Sequence, residues 1–384
     1  MSNAMGNVRG QRRALRAVRG AWCTALAVLT LAAGCGDDSA RLVEQVLDER
    51  EQPGGAAEPE AAEAEEAAEP EEAEAEAEAA TAEALTLAEG ELSALALGGG
   101  TVYVVDQAAA VIARLPVGGG PLEPISPALE LLPQRLVADE SSVYAALFLR
   151  PGHTELWRLP ATGGAFDAAH DGVLLGEVPS VAALDVNASS VVSLEARPTP
   201  SSVTRGIVSL PKVAGGVVPT ATVDLLFSDA FALDDQAAFV VRGGDGVSDL
   251  ARVDLASGEV SSLVAAEPDE SLRDVAVASG VAYFASTTRV GRTPEVGGAA
   301  GAGTLSATPA YGLVVAADSV YFFEASGAGC AGGSELYRVA VTGGTAEHLA
   351  SEPAPGCVTD LVGDAGGIYW LTKDGSRLRG LPLR

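Results

Sequence analysis

Residues 135–164 read RLVADESSVYAALFLRPGHTELWRLPATGG. Three pieces of this stretch decide the fold. The first is an apolar run into a turn, Arg135-Leu136-Val137-Ala138-Asp139. The second is a Val-Tyr strand at Val143-Tyr144. The third is Trp157-Arg158-Leu159-Pro160, running into Gly163-Gly164. Each is short, rich in Val, Leu and Tyr, and bounded by Asp, Ser or Gly. That is the signature of strands and hairpins, and no long helical period competes with it.

Working outward, the same unit recurs from residue 84 to 384. The Val-Tyr strand returns at Val102-Tyr103, Val320-Tyr321 and Ile368-Tyr369, with weaker copies at Val191-Val192, Ala238-Phe239 and Ala282-Tyr283. The third piece returns at Arg114-Leu115-Pro116, Ser209-Leu210-Pro211, Arg252-Val253-Asp254, Arg292-Thr293-Pro294, Tyr337-Arg338-Val339 and Leu381-Pro382. Most copies run into a Gly-Gly pair, and a fourth short strand follows, as in Glu347-His348-Leu349. The aromatic positions lie 41, 48, 47, 44, 38 and 48 residues apart. Four strands per roughly 40–45 residues is the period of a β-propeller blade. Seven units fit. Six or eight stay open, because the fifth unit is short and the third degenerate. The last unit stops after its third strand. Ala84-Leu85-Thr86-Leu87 is a spare strand that can complete it, closing the ring and removing an exposed edge.

The unit resembles the YWTD/NHL-type blade. It is more closely similar to the Tyr-Trp…Arg-Val-Pro…Gly-Gly repeats of uncharacterised bacterial propeller lipoproteins, with Ile368-Tyr369-Trp370-Leu371-Thr372 as the best copy. The resemblance covers about 300 residues and implies a fold more than an activity. Trp157 and Trp370 lie on motif strands and are read as core, with a sugar-stacking platform as the other reading.

The first residues read as an address. Arg9, Arg12, Arg13, Arg16 and Arg19 form a basic region without acids, and residues 21–33 are apolar apart from Thr24 and Thr30. Thirteen residues are too few to cross a bilayer as a helix and suit a signal peptide. The stretch ends in Leu31-Ala32-Ala33-Gly34-Cys35, which resembles the lipobox of bacterial lipoproteins. That resemblance implies removal of residues 1–34 and lipidation of Cys35. The other reading is an ordinary secretory signal. Both place the chain outside the cytoplasm, the lipobox at a bacterial membrane, either the outer membrane or the cell surface. Arg12-Arg13 partly matches a twin-arginine signal.

Residues 35–83 form an acidic tether. From Asp37 to Glu91 there are 20 acids and two bases, and residues 56–83 are almost wholly Ala, Glu and Pro. Glutamates four apart repel and nothing large and apolar is available to bury, so the tract reads as a disordered, extended spacer.

The whole chain holds 52 Asp+Glu against 24 Lys+Arg, a formal charge of −28. That argues against nucleic acid as a partner. Beyond Cys35 only Cys330 and Cys357 are left. Cys330 falls between the second and third strands of its unit, and Cys357 in the crossover to the next. Blade topology puts both connections on one face, so a disulfide is expected in an oxidising compartment.

Three histidines, His153, His170 and His348, are far apart in sequence. There is no phosphate loop and no nucleophile elbow. Asp245 and Asp249 share a Gly-rich loop where a calcium is conceivable. The sequence therefore predicts no catalytic residue, no bound metal and no cofactor. The leading expectation is an all-β propeller, tethered to a membrane by lipid, that binds a protein or glycan as a monomer. The alternative is a propeller-type metal-dependent hydrolase or lactonase, for which Asp185, Asp274 and Asp360 on innermost strands are the candidates. A quinone-dependent oxidoreductase lacks the recurrent Trp docking motif.

Overall fold

The computed structural model describes residues 84–165, 172–198, 203–213, 218–223, 230–244, 247–296, 302–325, 330–354 and 356–383. These hold 28 strands and no α-helix. The strands form seven four-stranded antiparallel sheets arranged in a ring. Seven is thus the blade number, and the short fifth unit still builds a full blade.

Blade 1 is β2 (Leu92–Gly98), β3 (Thr101–Asp106), β4 (Val111–Pro116) and β5 (Glu123–Pro124). Blade 2 is β6 (Pro133–Ala138), β7 (Ser142–Arg150), β8 (His153–Pro160) and β9 (Val173–Val178). Blade 3 is β10 (Val181–Val186), β11 (Ser190–Pro198), β12 (Val203–Pro211) and β13 (Val218–Val223). Blade 4 is β14 (Phe231–Leu233), β15 (Ala237–Gly244), β16 (Val247–Asp254) and β17 (Val260–Ala265). Blade 5 is β18 (Leu272–Ala278), β19 (Val281–Ser286), β20 (Val290–Pro294) and β21 (Gly303–Ser306). Blade 6 is β22 (Gly312–Ala316), β23 (Ser319–Ala325), β24 (Ser334–Ala340) and β25 (Glu347–Glu352). Blade 7 is β26 (Val358–Asp364), β27 (Gly367–Thr372) and β28 (Arg377–Pro382), completed by β1 (Leu85–Glu89) at its rim. Strands run A to D from axis to rim. The B–C hairpins and the blade-to-blade crossovers lie at one end of the axis, here the upper end.

The core is split into seven clusters, one at each blade–blade interface. The Val-Tyr motif explains how. Side chains alternate across a strand, so Val102 and Val104 enter the interface with blade 7, while Tyr103 and Val105 enter the interface with blade 2. Both faces of each inner strand are therefore apolar. Trp370 is fully buried between blades 6 and 7, as expected. Trp157 is only half-buried, because blade 1 has just the two-residue β5 to set against that part of blade 2.

The arginine of the third motif piece is a staple. Arg114 Nη1 donates to the Ala161 carbonyl at 3.3 Å, Arg158 Nη1 to Lys212 at 2.8 Å, and Arg292 Nη1 to Val341 at 2.6 Å. In each case the acceptor is the C–D turn of the next blade. At the closure Tyr369 Oη donates to the Val117 carbonyl at 3.2 Å, and Arg379 Nη2 binds the Ala84 carbonyl at 3.0 Å beside β1. The Gly-Gly turn has a matching reason at Gly163. Its φ is +107°, and a Cβ there would stand 2.5 Å from the Ile125 carbonyl oxygen. That same oxygen accepts the Gly164 N–H at 2.8 Å, tying blade 1 to the turn of blade 2.

Candidate functional site: the upper mouth of the axial channel

The seven A strands surround a channel of about 550 Å³. Its wall is mixed: Leu95, Leu136, Phe231, Val275, Val314 and Leu361 line it together with Asp139, Glu140, Asp185 and Asp364. Toward the upper end the A strands of blades 1, 2, 3, 5 and 7 each carry a register shift. Such bulges leave one residue unpaired and re-aim the side chains around it. The extra residues are Ala94, Gln134, Ala182, Arg273 and Thr359. Gln134, Arg273 and Thr359 are exposed, and so is Arg135 beside Gln134. The bulges thus raise donors around the upper opening of the channel.

Arg135 is held over the opening. Its Nε donates to the Ala182 carbonyl at 3.1 Å and its Nη1 to the Gln134 carbonyl at 3.3 Å. Arg273 makes no hydrogen bond or ion pair with a described residue. Two hollows flank the opening. One, of about 480 Å³, is bordered by Gln134, Arg135, Asp360, Lys373 and Asp374. The other, of about 260 Å³, is bordered by Arg273, Tyr311, Phe323 and Thr359.

Asp185, Asp274 and Asp360 stand on the A strands of blades 3, 5 and 7, and each has a structural task. Asp274 Oδ2 accepts the N–H of Leu313 in blade 6 at 2.8 Å, and Oδ1 accepts the Val275 N–H at 2.9 Å. Asp185 accepts the N–H of Val186 at 2.7 Å and that of Leu233 in blade 4. Asp360 accepts the N–H of Leu95 in blade 1. In all three the carboxylate grips the next blade's inner strand. Burial is the largest influence on each and raises its pKa against these bonds, Asp185 to about 7 and Asp274 to about 6. The nearby Arg135 guanidinium lowers Asp360 in part.

These aspartates do not converge into a metal-binding trio. Among the described residues, the one set of three His, Cys, Asp or Glu ligand atoms within 4.8 Å of one another is His153, Glu155 and Glu177, on blade 2. In the conceived calcium loop, Asp249 is engaged by the Arg242 guanidinium through both carboxylate oxygens, while Asp245 lies outside the described residues. The lower end is acidic. There Glu295 is pushed to about 7 by burial and by its contact with Asp234.

Cys330 and Cys357 lie together at the upper end, bonded, with Cα atoms 5.2 Å apart. They join the B–C loop of blade 6 to the crossover into blade 7. Beside them Tyr311 Oη donates to Ser334 Oγ at 2.8 Å and accepts the Val358 N–H at 3.1 Å, while Ser334 Oγ binds the Gly356 carbonyl at 2.5 Å. The network braces one wall of the 260 Å³ hollow. Cys35 lies outside the described residues.

Sequence reasoning missed the bulge arginines and the blade 2 trio. A bulge has no letter signature in a single strand. The trio needs a cross-strand register that only the folded sheet supplies.

No family model matches the sequence, and no curated protein does. Solved structures do resemble the ring. YCF48 from Cyanidioschyzon merolae superposes with a TM-score of 0.54 at 10% identity, over 78% of this chain and 99% of that one. A puromycin hydrolase superposes with a TM-score of 0.55 at 13% identity, over 75% of this chain and 50% of that one. Its S511A mutant gives 0.53 at 15% identity, over 78% and 54%. The chain thus spans about half the length of the puromycin hydrolase structures. At such identities the likeness shows the β-propeller fold alone.

Proposed function

We propose that this chain is an exported lipoprotein, anchored through Cys35, whose ring is a non-enzymatic binding module for a protein or glycan. The ligand docks on the upper face. One observation carries this reading: Gln134, Arg135, Arg273 and Thr359 are raised by strand bulges around the channel mouth, while the carboxylates of Asp274 and Asp360 beneath them are tied to the main chain. Guanidinium, amide and hydroxyl donors above a lining of mixed polarity suit an anionic or hydroxyl-rich group. The leader, the lipobox-like Cys35 and the acidic spacer support the address, and a monomeric ring on a tether needs no further subunit.

The alternative, a metal-dependent hydrolase or lactonase, would draw on Asp185, Asp274 and Asp360. Their separate main-chain bonds favour the binding reading. The deciding experiment measures metal content of the purified chain and its melting with and without EDTA. It then compares binding on a panel of glycans and anionic peptides between wild type and an Arg135→Ala/Arg273→Ala double variant. Ligand capture lost in the double variant, with an unchanged melting temperature, is the expected outcome. A stoichiometric metal whose removal abolishes turnover of a lactone or ester would replace the reading with the hydrolase. For the anchor, Cys35→Ser should move the protein from the membrane fraction to the soluble fraction.

A further inference from the structure

We infer that the outer part of blade 2 carries a divalent transition-metal site formed by His153, Glu155 and Glu177, separate from the channel mouth. The three ligand atoms lie within 4.8 Å of one another, and His153 Nδ1 is 3.5 Å from Glu177 Oε2. All three side chains rise from paired strands and not from loops. Glu155 and Glu177 are direct cross-strand partners of β8 and β9, and His153 is two residues from Glu155 on the same face.

Two like charges placed opposite each other destabilise a sheet. A dication in the space that all three groups share removes that cost. One imidazole nitrogen with two carboxylates suits a first-row transition ion better than calcium or magnesium, which prefer all-oxygen shells. The indole N–H of Trp157 donates to Glu155 Oε2 at 2.8 Å, the kind of outer bond that fixes a ligating carboxylate. The site is reachable, since Glu177 is 54% exposed and β5 of blade 1 is only two residues long. Three protein ligands leave a tetrahedral ion one open position, for water or for a donor atom of a bound molecule. The other imidazole–carboxylate contact among the described residues, His348 Nε2 to Glu335 Oε2 at 2.7 Å, has one carboxylate and serves as the control.

The test titrates the purified full chain with Zn²⁺ by calorimetry and loads it with Cu²⁺ for electron paramagnetic resonance. One Zn²⁺ per chain is expected, with nitrogen hyperfine structure from a single imidazole. His153→Ala should abolish the nitrogen signal. His153→Ala and Glu177→Gln should each weaken Zn²⁺ binding by at least about tenfold, the scale at which ligand-shell changes act. His348→Ala should change neither readout. Glu177 and His348 are exposed and His153 is partly exposed, and a melting curve confirms that each variant folds. Zn²⁺ binding that is equally strong in His153→Ala, or a nitrogen signal that survives it and vanishes in His348→Ala, overturns the assignment. So does the absence of saturable binding in wild type.

Discussion

At the residue scale, the informative side chains are polar groups placed where apolar ones are the rule. Asp185 is the sharpest case. Burial raises it to about 7, although it accepts two main-chain N–H bonds. A carboxyl whose folded-state value exceeds its unfolded value favours folding below pH ~4. That contribution is lost as pH rises through the folded value. The expected result is a melting temperature that falls between pH 4 and 7, with the slope reduced in Asp185→Asn. An unchanged slope would mean that channel water screens the group. Glu270 has the opposite sign. Arg289, Ser286 and the Glu267 N–H outweigh its burial and hold it at about 2. It therefore stabilises above pH ~4.5 and loses that effect as pH falls toward 2.

At the element scale, each blade is joined to its neighbour by more than apolar packing. Strand C arginines reach the next C–D turn, inner-strand aspartates reach the next inner strand, and the disulfide joins blade 6 to the crossover that follows it. The interface between blades 6 and 7 also buries Glu352, whose Oε1 accepts the Trp370 indole N–H at 2.8 Å and lies 3.3 Å from Arg379 Nη1. The cysteines are 27 residues apart. On the loop-entropy estimate their bond contributes about 3.6 kcal/mol. Cys330→Ser/Cys357→Ser should lose up to that amount in denaturant titration. Reductant should destabilise wild type and leave the double variant unchanged. The 260 Å³ hollow lies against this brace, so the same variant should loosen any ligand held there.

At the scale of the whole molecule, stability depends on closing the ring. β1 is the outermost strand of blade 7 and the first strand of the ring, so the first and last strands of the ring meet in one sheet. Removing residues 84–89 would free the edge of β28, strip the Ala84 carbonyl from Arg379 and uncover Leu378 beneath it. An exposed edge is a template for another chain. The shortened protein should melt lower and self-associate on size-exclusion chromatography, whereas loss of residues 1–83 alone should leave melting unchanged. Equal melting of the two truncations would show that three strands suffice for the last blade.

The repeat was legible letter by letter. The alternation at Val102-Tyr103-Val104-Val105 is enough to require apolar surroundings on both sheet faces, and its recurrence every 38–48 residues is enough to require blades. The spare strand before the first unit and the incomplete last unit imply how the ring closes. The two cysteines could be placed on one face from strand order alone, because topology needs no coordinates. Blade number with a short fifth unit, the half-exposure of Trp157 and the staple made by Arg158 were decided only in three dimensions. So were the mouth and the blade 2 trio. The physical reason is common to all of them. A periodic pattern records what each strand buries, whereas bulges, cross-strand partners and contacts between blades depend on register and on the neighbour a residue meets after folding. Asp274 and Asp360 show the difference most plainly. As letters they are acids on inner strands, fit for a metal. In the folded ring each is held by the main chain of the next blade.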